Sequence, residues 1–235
     1  MRFPALSAAL GGAILLVTGC GIFGSNYSYR YRITVEVETP AGLKTGSAVH
    51  ETLVSKSNVN LGDLSGKRGM RTRGEGVAID LPDGQTLFAL MPESSLTQAV
   101  LDPEWKNDWV DSANRISGGD TPEGPLPMTP GKQTDRFAKP IGYPLLVRFR
   151  DIADPKTVEE VNPANLAASF GPGVRLRRIT LQVTDDDVTV EIEERFQWWN
   201  EYIDKFLNGS PTVMEDLRDK NIAAHLTSRS FSSVI

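Results

Sequence analysis

Hydrophobic and polar positions first fall into step at residue 29. Tyr29, Tyr31, Ile33, Val35 and Val37 alternate with Arg30, Arg32, Thr34, Glu36 and Glu38. A period of two sends all five apolar side chains to one face of a strand. Thr39-Pro40-Ala41-Gly42 supplies a turn, because proline fixes φ and glycine admits positive φ. Residues 44–55 then run back as a second strand. Residues 56–73, rich in Gly, Ser and basic side chains, read as an exposed loop. Val77, Ile79 and Leu81 alternate again, Pro82-Asp83-Gly84 turns the chain, and Thr86 to Met91 returns, which is the clearest hairpin signal in the chain.

The pattern then loosens. Residues 94–111 predict one or two short helices carrying Trp105 and Trp109, and residues 112–142, with many Gly and Pro, read as a long surface loop. Tyr143 to Arg150 predicts a buried strand. Asn162-Pro163 opens a short helix, with Asn as N-cap and Pro in the first turn, and Gly171 ends it. Residues 174–183 and 188–194 predict a second hairpin around Asp185-Asp186-Asp187. Phe196, Trp199, Ile203, Phe206 and Leu207 recur at helical spacing until Gly209 and Pro211. Residues 213–226 predict a further short helix. The sum is an α+β fold: mainly antiparallel β-sheet, sandwich- or barrel-like, with a few short helices and an amphipathic C-terminal helix.

The apolar run ahead of these elements has a different meaning. Met1-Arg2-Phe3-Pro4 precedes an uncharged stretch from Ala5 to Val17. That stretch suits a signal-peptide core and is short of the roughly 20 residues a spanning helix needs. Val17-Thr18-Gly19-Cys20 follows and reads as a lipobox around the only cysteine in the chain. The thiol would receive a diacylglyceryl group, cleavage would fall before Cys20, and the new amino group would be acylated. Two or three acyl chains anchor stably where one binds marginally. Gly21 is not the Asp that retains such proteins in the inner membrane of enteric-type bacteria, which favours the outer membrane. The organisation expected is a signal peptide over 1–19, a tether over 20–28 and one β-rich domain over 29–235.

Charge narrows the partners. The chain carries 25 Lys and Arg against 30 Asp and Glu, a net charge of −5, and loss of residues 1–19 removes only Arg2 and brings it to −6. Mild acidity argues against a nucleic-acid partner, which calls for a basic face. With Cys20 acylated no thiol is left for a disulfide, so the 216 residues from Cys20 onward must hold themselves together by their core.

Three blocks, YRYRITVEVETPAGLKTGSAV (29–49), GEGVAIDLPDGQTLFAL (74–90) and YPLLVRFRDIADPKTVEEVNPANLAASFGPGVRLRRITLQVTDD (143–186), resemble a family of uncharacterised alphaproteobacterial proteins, members of which often begin with a lipoprotein-type signal. Where that family has Gly-Ser-Ser-Val and an apolar pair, this chain has Gly46-Ser47-Ala48-Val49-His50. The family carries no assigned activity, so the resemblance implies only that the blocks belong to one domain and that the lipobox is genuine.

Candidate chemistry is sparse. Ser47 and His50 suggest a nucleophile and base, but no Gly-x-Ser-x-Gly elbow is present, and an offset of three on a strand sends the two side chains to opposite faces. His225 is the only other histidine. Gly62 to Arg68 has the wrong length for a phosphate loop and no Ser or Thr after Lys67. With Arg71 and Arg73 it reads as a basic loop, solvated in preference to facing anionic headgroups or sugar phosphates. Asp185-Asp186-Asp187 reads as a turn rather than a calcium site, and two histidines with one committed cysteine do not make a zinc site. Trp105, Trp109, Trp198 and Trp199 are the candidates for stacking on cell-wall sugars, against a role in packing. On a helix Trp198 and Trp199 point about 100° apart, which predicts one buried and one partly exposed. No catalytic residue, cofactor or metal is expected. The reading is a lipid-anchored envelope protein working as a structural or protein-interaction module, with a glycan-binding module or a serine hydrolase as alternatives.

Overall fold

A computed structural model describes residues 25–57, 68–106, 108–129, 142–212 and 219–233. The signal segment, Cys20, the phosphate-loop-like residues 62–67, the stretch 130–141 and the first part of the helix expected over 213–226 lie outside the described residues.

Two antiparallel sheets form the molecule. Among the described residues the larger has five strands and the smaller four. In the larger, β1 (Ser25–Thr39) and β2 (Gly42–Lys56) make a hairpin in unbroken register from Ser25 opposite Lys56 to Thr39 opposite Gly42. The first strand therefore begins inside the stretch 20–28 expected to be a tether. β3 (Arg68–Arg73) adds to the free edge of β2, so part of the expected loop 56–73 is strand. β9 (Arg175–Val183) pairs on the other side of β1, and β6 (Leu126–Pro127) completes the sheet.

The smaller sheet contains the hairpin of β4 (Val77–Asp80) and β5 (Thr86–Ala89), then β7 (Leu146–Phe149) and β8 (Val158–Glu160). The hairpin closes with positive φ at Asp83 and Gly84, as Pro-Asp-Gly predicts. Both faces of this sheet are buried, and the alternation of its side chains divides two cores. Val77, Ile79, Leu87, Ala89 and Leu146 join Tyr31, Ile33, Val35 and Ile179 of the larger sheet. Phe88 and Val147 face the other way, into Phe196, Trp198, Trp199, Tyr202, Leu207 and Phe231. The larger sheet, the smaller sheet and the C-terminal segment are thus successive layers. Helices α1 (Ser94–Leu101) and α2 (Trp109–Ser117) close the first core, and α2 occupies the start of the expected loop 112–142. The short α3 (Ala167–Phe170) ends at Gly171 with φ 95°, the predicted stop.

Two expectations are corrected. Residues 188–194 do not pair with β9, which is already flanked by β1 and β6. After the Asp185–Asp187 turn the chain crosses to β2 instead. The amide of Thr189 donates to the Val49 carbonyl at 3.2 Å, and the Val49 amide donates to Thr189 Oγ1 at 3.0 Å. The amphipathic C-terminal helix is also absent as a continuous element. Residues 192–195 and 199–202 form separate 3-10 turns, and Phe196 between them is extended at φ −116°, ψ 104°. The reason is packing. A straight helix would aim Phe196 and Trp198 about 160° apart, whereas the broken path brings their rings to 4.6 Å and buries Trp199 and Tyr202 in the same cluster.

Candidate functional site

The residues singled out in the sequence do not converge. Ser47 is exposed, opposite Thr34 in the β1–β2 ladder, while His50 points inward and is fully buried. Their parity on β2 holds them on opposite faces, so no nucleophile–base pair forms between them. His225 sits in the C-terminal layer, where its Nε2 lies 2.6 Å from the Asp219 carbonyl. Among the described residues no group of three His, Cys, Asp or Glu side chains is placed to hold a metal ion. The Asp185–Asp187 turn is fastened to β1: the Arg32 guanidinium pairs with Asp186, and Arg30 donates to the Asp186 carbonyl at 3.2 Å. That explains three adjacent acids as a turn clamped by strand arginines.

The tryptophans divide. Trp198 and Trp199 are both buried, against the expectation that one of them would be partly exposed. Trp198 Nε1 donates to the Ile152 carbonyl at 2.9 Å, which satisfies its one polar atom. Both rings belong to the aromatic cluster with Phe88, Phe149, Phe196 and Phe231 and offer no face to a sugar. Trp105 and Trp109 are half-buried, and Trp109 packs on the first core.

What the structure does bring together is a buried polar layer between β1, β2 and the two helices. The His50 ring stacks on Tyr31 at 5.2 Å and 10°. Gly74, at φ 136°, passes directly over it; a Cβ there would lie 2.8 Å from His50 Cδ2. Among the described residues nothing reaches hydrogen-bonding geometry with either His50 nitrogen, with the hydroxyls of Tyr29 and Tyr31, or with Gln98 Oε1. Burial pushes the His50 imidazole down to about 4, opposed in part by the Glu75 backbone carbonyl. Burial likewise lifts the Tyr31 phenol to about 12, against the favourable hydroxyls of Thr97 and Thr52, and raises that of Tyr29 further. All three groups are therefore neutral near pH 7. Beside them Asp102, fully buried, takes two bonds from Arg115, from Nε at 3.2 Å and Nη2 at 2.6 Å. Burial alone would raise the Asp102 carboxyl, but the Arg115 guanidinium together with neighbouring donors, among them the Glu104 amide at 2.9 Å, outweighs it and holds the group below its ordinary value.

The opposite face of the larger sheet carries charge. Glu51 lies 3.5 Å from both Arg30 and Arg73, Arg178 meets Glu36 at 2.6 Å, and Arg175 pairs with Glu38. The arginines of these cross-strand pairs are solvent-exposed while Glu36 and Glu51 are largely covered, and the opposite charges largely neutralise one another. The end of the sheet where β1 starts differs. Arg71 and Lys56 have no carboxylate partner among the described residues, and Arg68 reaches only Asp108, at 3.7 Å. Leu53 and Met70 are exposed there, 38% and 37%, beside a hollow of about 270 Å³ that Tyr27 and Arg71 also line.

The odd offset on β2 set Ser47 and His50 on opposite faces without saying which of them points inward; the structure turns His50 and Thr52 inward. Nothing local tied Gln98, Asp102 or Arg115 to them. Leu53 and Met70 could have been found as large apolar residues on outward or edge positions. No protein-family model, no curated protein and no solved structure gives a significant match to this chain.

Proposed function

We propose that this chain is a lipid-anchored protein of the bacterial cell envelope, fixed by acyl chains on Cys20, whose folded part serves as a structural or protein-interaction module rather than an enzyme. One observation carries the reading: the lipobox-like Val17-Thr18-Gly19-Cys20 holds the only cysteine and stands five residues ahead of β1. Acylation there attaches the first strand directly to a membrane. Gly21 after the cysteine favours the outer membrane. The divergence of Ser47 and His50 weighs against the serine-hydrolase alternative. The half-buried Trp105 and Trp109 keep a glycan-binding module as the second reading, now without Trp198 and Trp199.

The test is photo-crosslinking in the intact envelope, with a photoreactive residue in place of Ser47 on the charged face and another in place of Trp105. The module reading predicts a discrete protein adduct from position 47 that is lost in Cys20→Ala. Adducts to peptidoglycan fragments from position 105 would replace it with the glycan reading.

A further inference from the structure

The end of the larger sheet nearest the N-terminus combines three things that no other exposed part of the described molecule brings together. The first is reach. Four residues separate Cys20 from Ser25, and the five residue steps between them span at most about 18 Å. If Cys20 is acylated, the start of β1 is held within that distance of the acyl–headgroup boundary.

The second is charge. Ser25 lies opposite Lys56, and Lys56 lies opposite Arg68, so two cations flank the first position of the sheet. Arg71 follows, opposite Leu53. Among the described residues, Asp108 beside Arg68 is the one acid paired with a cation of this end; Glu51 sits further along, held between Arg30 and Arg73. In a chain of net negative charge, a local surplus of cations is the exception.

The third is apolar surface. Leu53, Met70 and Tyr27 border one hollow at this end. Charged side chains alone suffice to protect an edge strand such as β3 from pairing with other chains, so edge protection accounts for the arginines but not for an exposed leucine and methionine between them. Leu53 stands beside Arg71 on one face of the sheet and Met70 beside Val54 and Tyr27 on the other, so both faces of this end show apolar side chains next to Lys and Arg; that combination matches the bilayer interface, where tyrosine concentrates and basic groups meet anionic headgroups.

We propose that this end, formed by Tyr27, Leu53, Lys56, Arg68, Met70 and Arg71, docks onto an anionic phospholipid surface, so that the domain stands on its β1–β2–β3 end with the Thr39–Gly42 turn pointing away from the membrane. The inference rests on acylation of Cys20. It adds an orientation and a lipid preference to the anchor.

Since Cys20 is consumed by acylation, an introduced cysteine is the only free thiol in the mature protein. Leu53→Cys and, as a second position, Met70→Cys would be labelled with an environment-sensitive fluorophore. Ala41→Cys, in the turn about 45 Å away along the hairpin, is the control. Each acylated protein is reconstituted in vesicles of phosphatidylglycerol and phosphatidylethanolamine, or of phosphatidylcholine, with a headgroup-level lipid quencher. The expected result is a blue shift and strong quenching at 53 and 70 on the anionic vesicles and neither at 41. Arg68→Glu with Arg71→Glu lowers quenching at 53 at least about fivefold, as does high salt. Equal quenching at 53 and 41 in an acylated protein overturns the docking and leaves the anchor standing. A blue shift that follows protein concentration without vesicles assigns the surface to a second copy and also overturns it. Failure of the wild-type protein to incorporate a palmitate analogue overturns the anchor and the docking together.

Discussion

His50 gives the residue scale its sharpest consequence. Its imidazole is fully buried, stacked on Tyr31 and pushed down to about 4 by that burial, whereas an unfolded chain protonates near 6.5. The unfolded state takes up the proton first as pH falls. The stability contributed by keeping this ring neutral is whole above about 6.5, declines below it, and is reduced by about 3 kcal/mol once pH passes the folded value near 4. His50→Phe keeps the ring stack and removes both nitrogens. Urea unfolding at pH 7 and pH 4.5 should show the wild type losing about 2.5 kcal/mol more than the variant; equal losses would mean that His50 is not buried neutral. Arg115 supplies a second case. Arg115→Met leaves Asp102 buried without its partner and should cost about 3–5 kcal/mol at neutral pH, with most of the loss recovered in the double variant that adds Asp102→Asn. The separation of His50 from Ser47 was legible from their offset of three on β2. The burial of His50 and its silence as a base were not, because they depend on Gly74 and Tyr31 closing over it, and neither adjoins it in sequence.

At the scale of elements, strands with a strict period of two were the legible ones. β1 and β4 lie where their alternation places them, and β2 and β5 lie where the turns after those strands return the chain. The C-terminal helix failed for the converse reason. Helical spacing of Phe196, Trp199, Ile203 and Phe206 is a weak sign where Trp198 and Tyr202 are apolar too, and a broken path buries more aromatic surface than one helical stripe can. The 188–194 strand failed because both edges of β9 were already taken by partners distant in sequence. One close contact between elements is testable. Gly46 on β2 crosses β4 so tightly that a Cβ would come within 2.4 Å of the Ala78 carbonyl oxygen and 2.9 Å of Ile79 Cγ1. Gly46→Ala must push the two sheets apart and should cost about 1–3 kcal/mol in thermal or urea unfolding. Ser47→Ala, one residue along and facing solvent, should change stability by less than about 0.5 kcal/mol.

The whole molecule is layered, and layering couples its parts. The smaller sheet is shared by both cores, with Val77, Ile79 and Leu146 on one face and Phe88 and Val147 on the other. A sheet buried on both faces cannot lose one core without exposing the other, so the domain should unfold as a unit. Far-UV circular dichroism and tryptophan fluorescence, the latter measured with Trp105→Phe and Trp109→Phe in place so that it reports Trp198 and Trp199 of the C-terminal layer, should give coincident transitions in urea. An earlier fluorescence transition would show that the C-terminal layer is a separate unit. This arrangement was hidden in the sequence, because β1 pairs with β9 across more than a hundred residues and only the assembled sheet reveals which face each strand presents. The address of the protein, in contrast, rests on the sequence alone, on Cys20 and the residues before it. The most direct measurement is therefore the mass of the protein purified from membranes, with its N-terminal peptide sequenced by fragmentation. The expected product is a chain that begins at Cys20 and carries a diacylglyceryl group on sulfur and an acyl group on the amino nitrogen. A chain that retains residues 1–19, or one cleaved elsewhere with an unmodified Cys20 thiol, would contradict it.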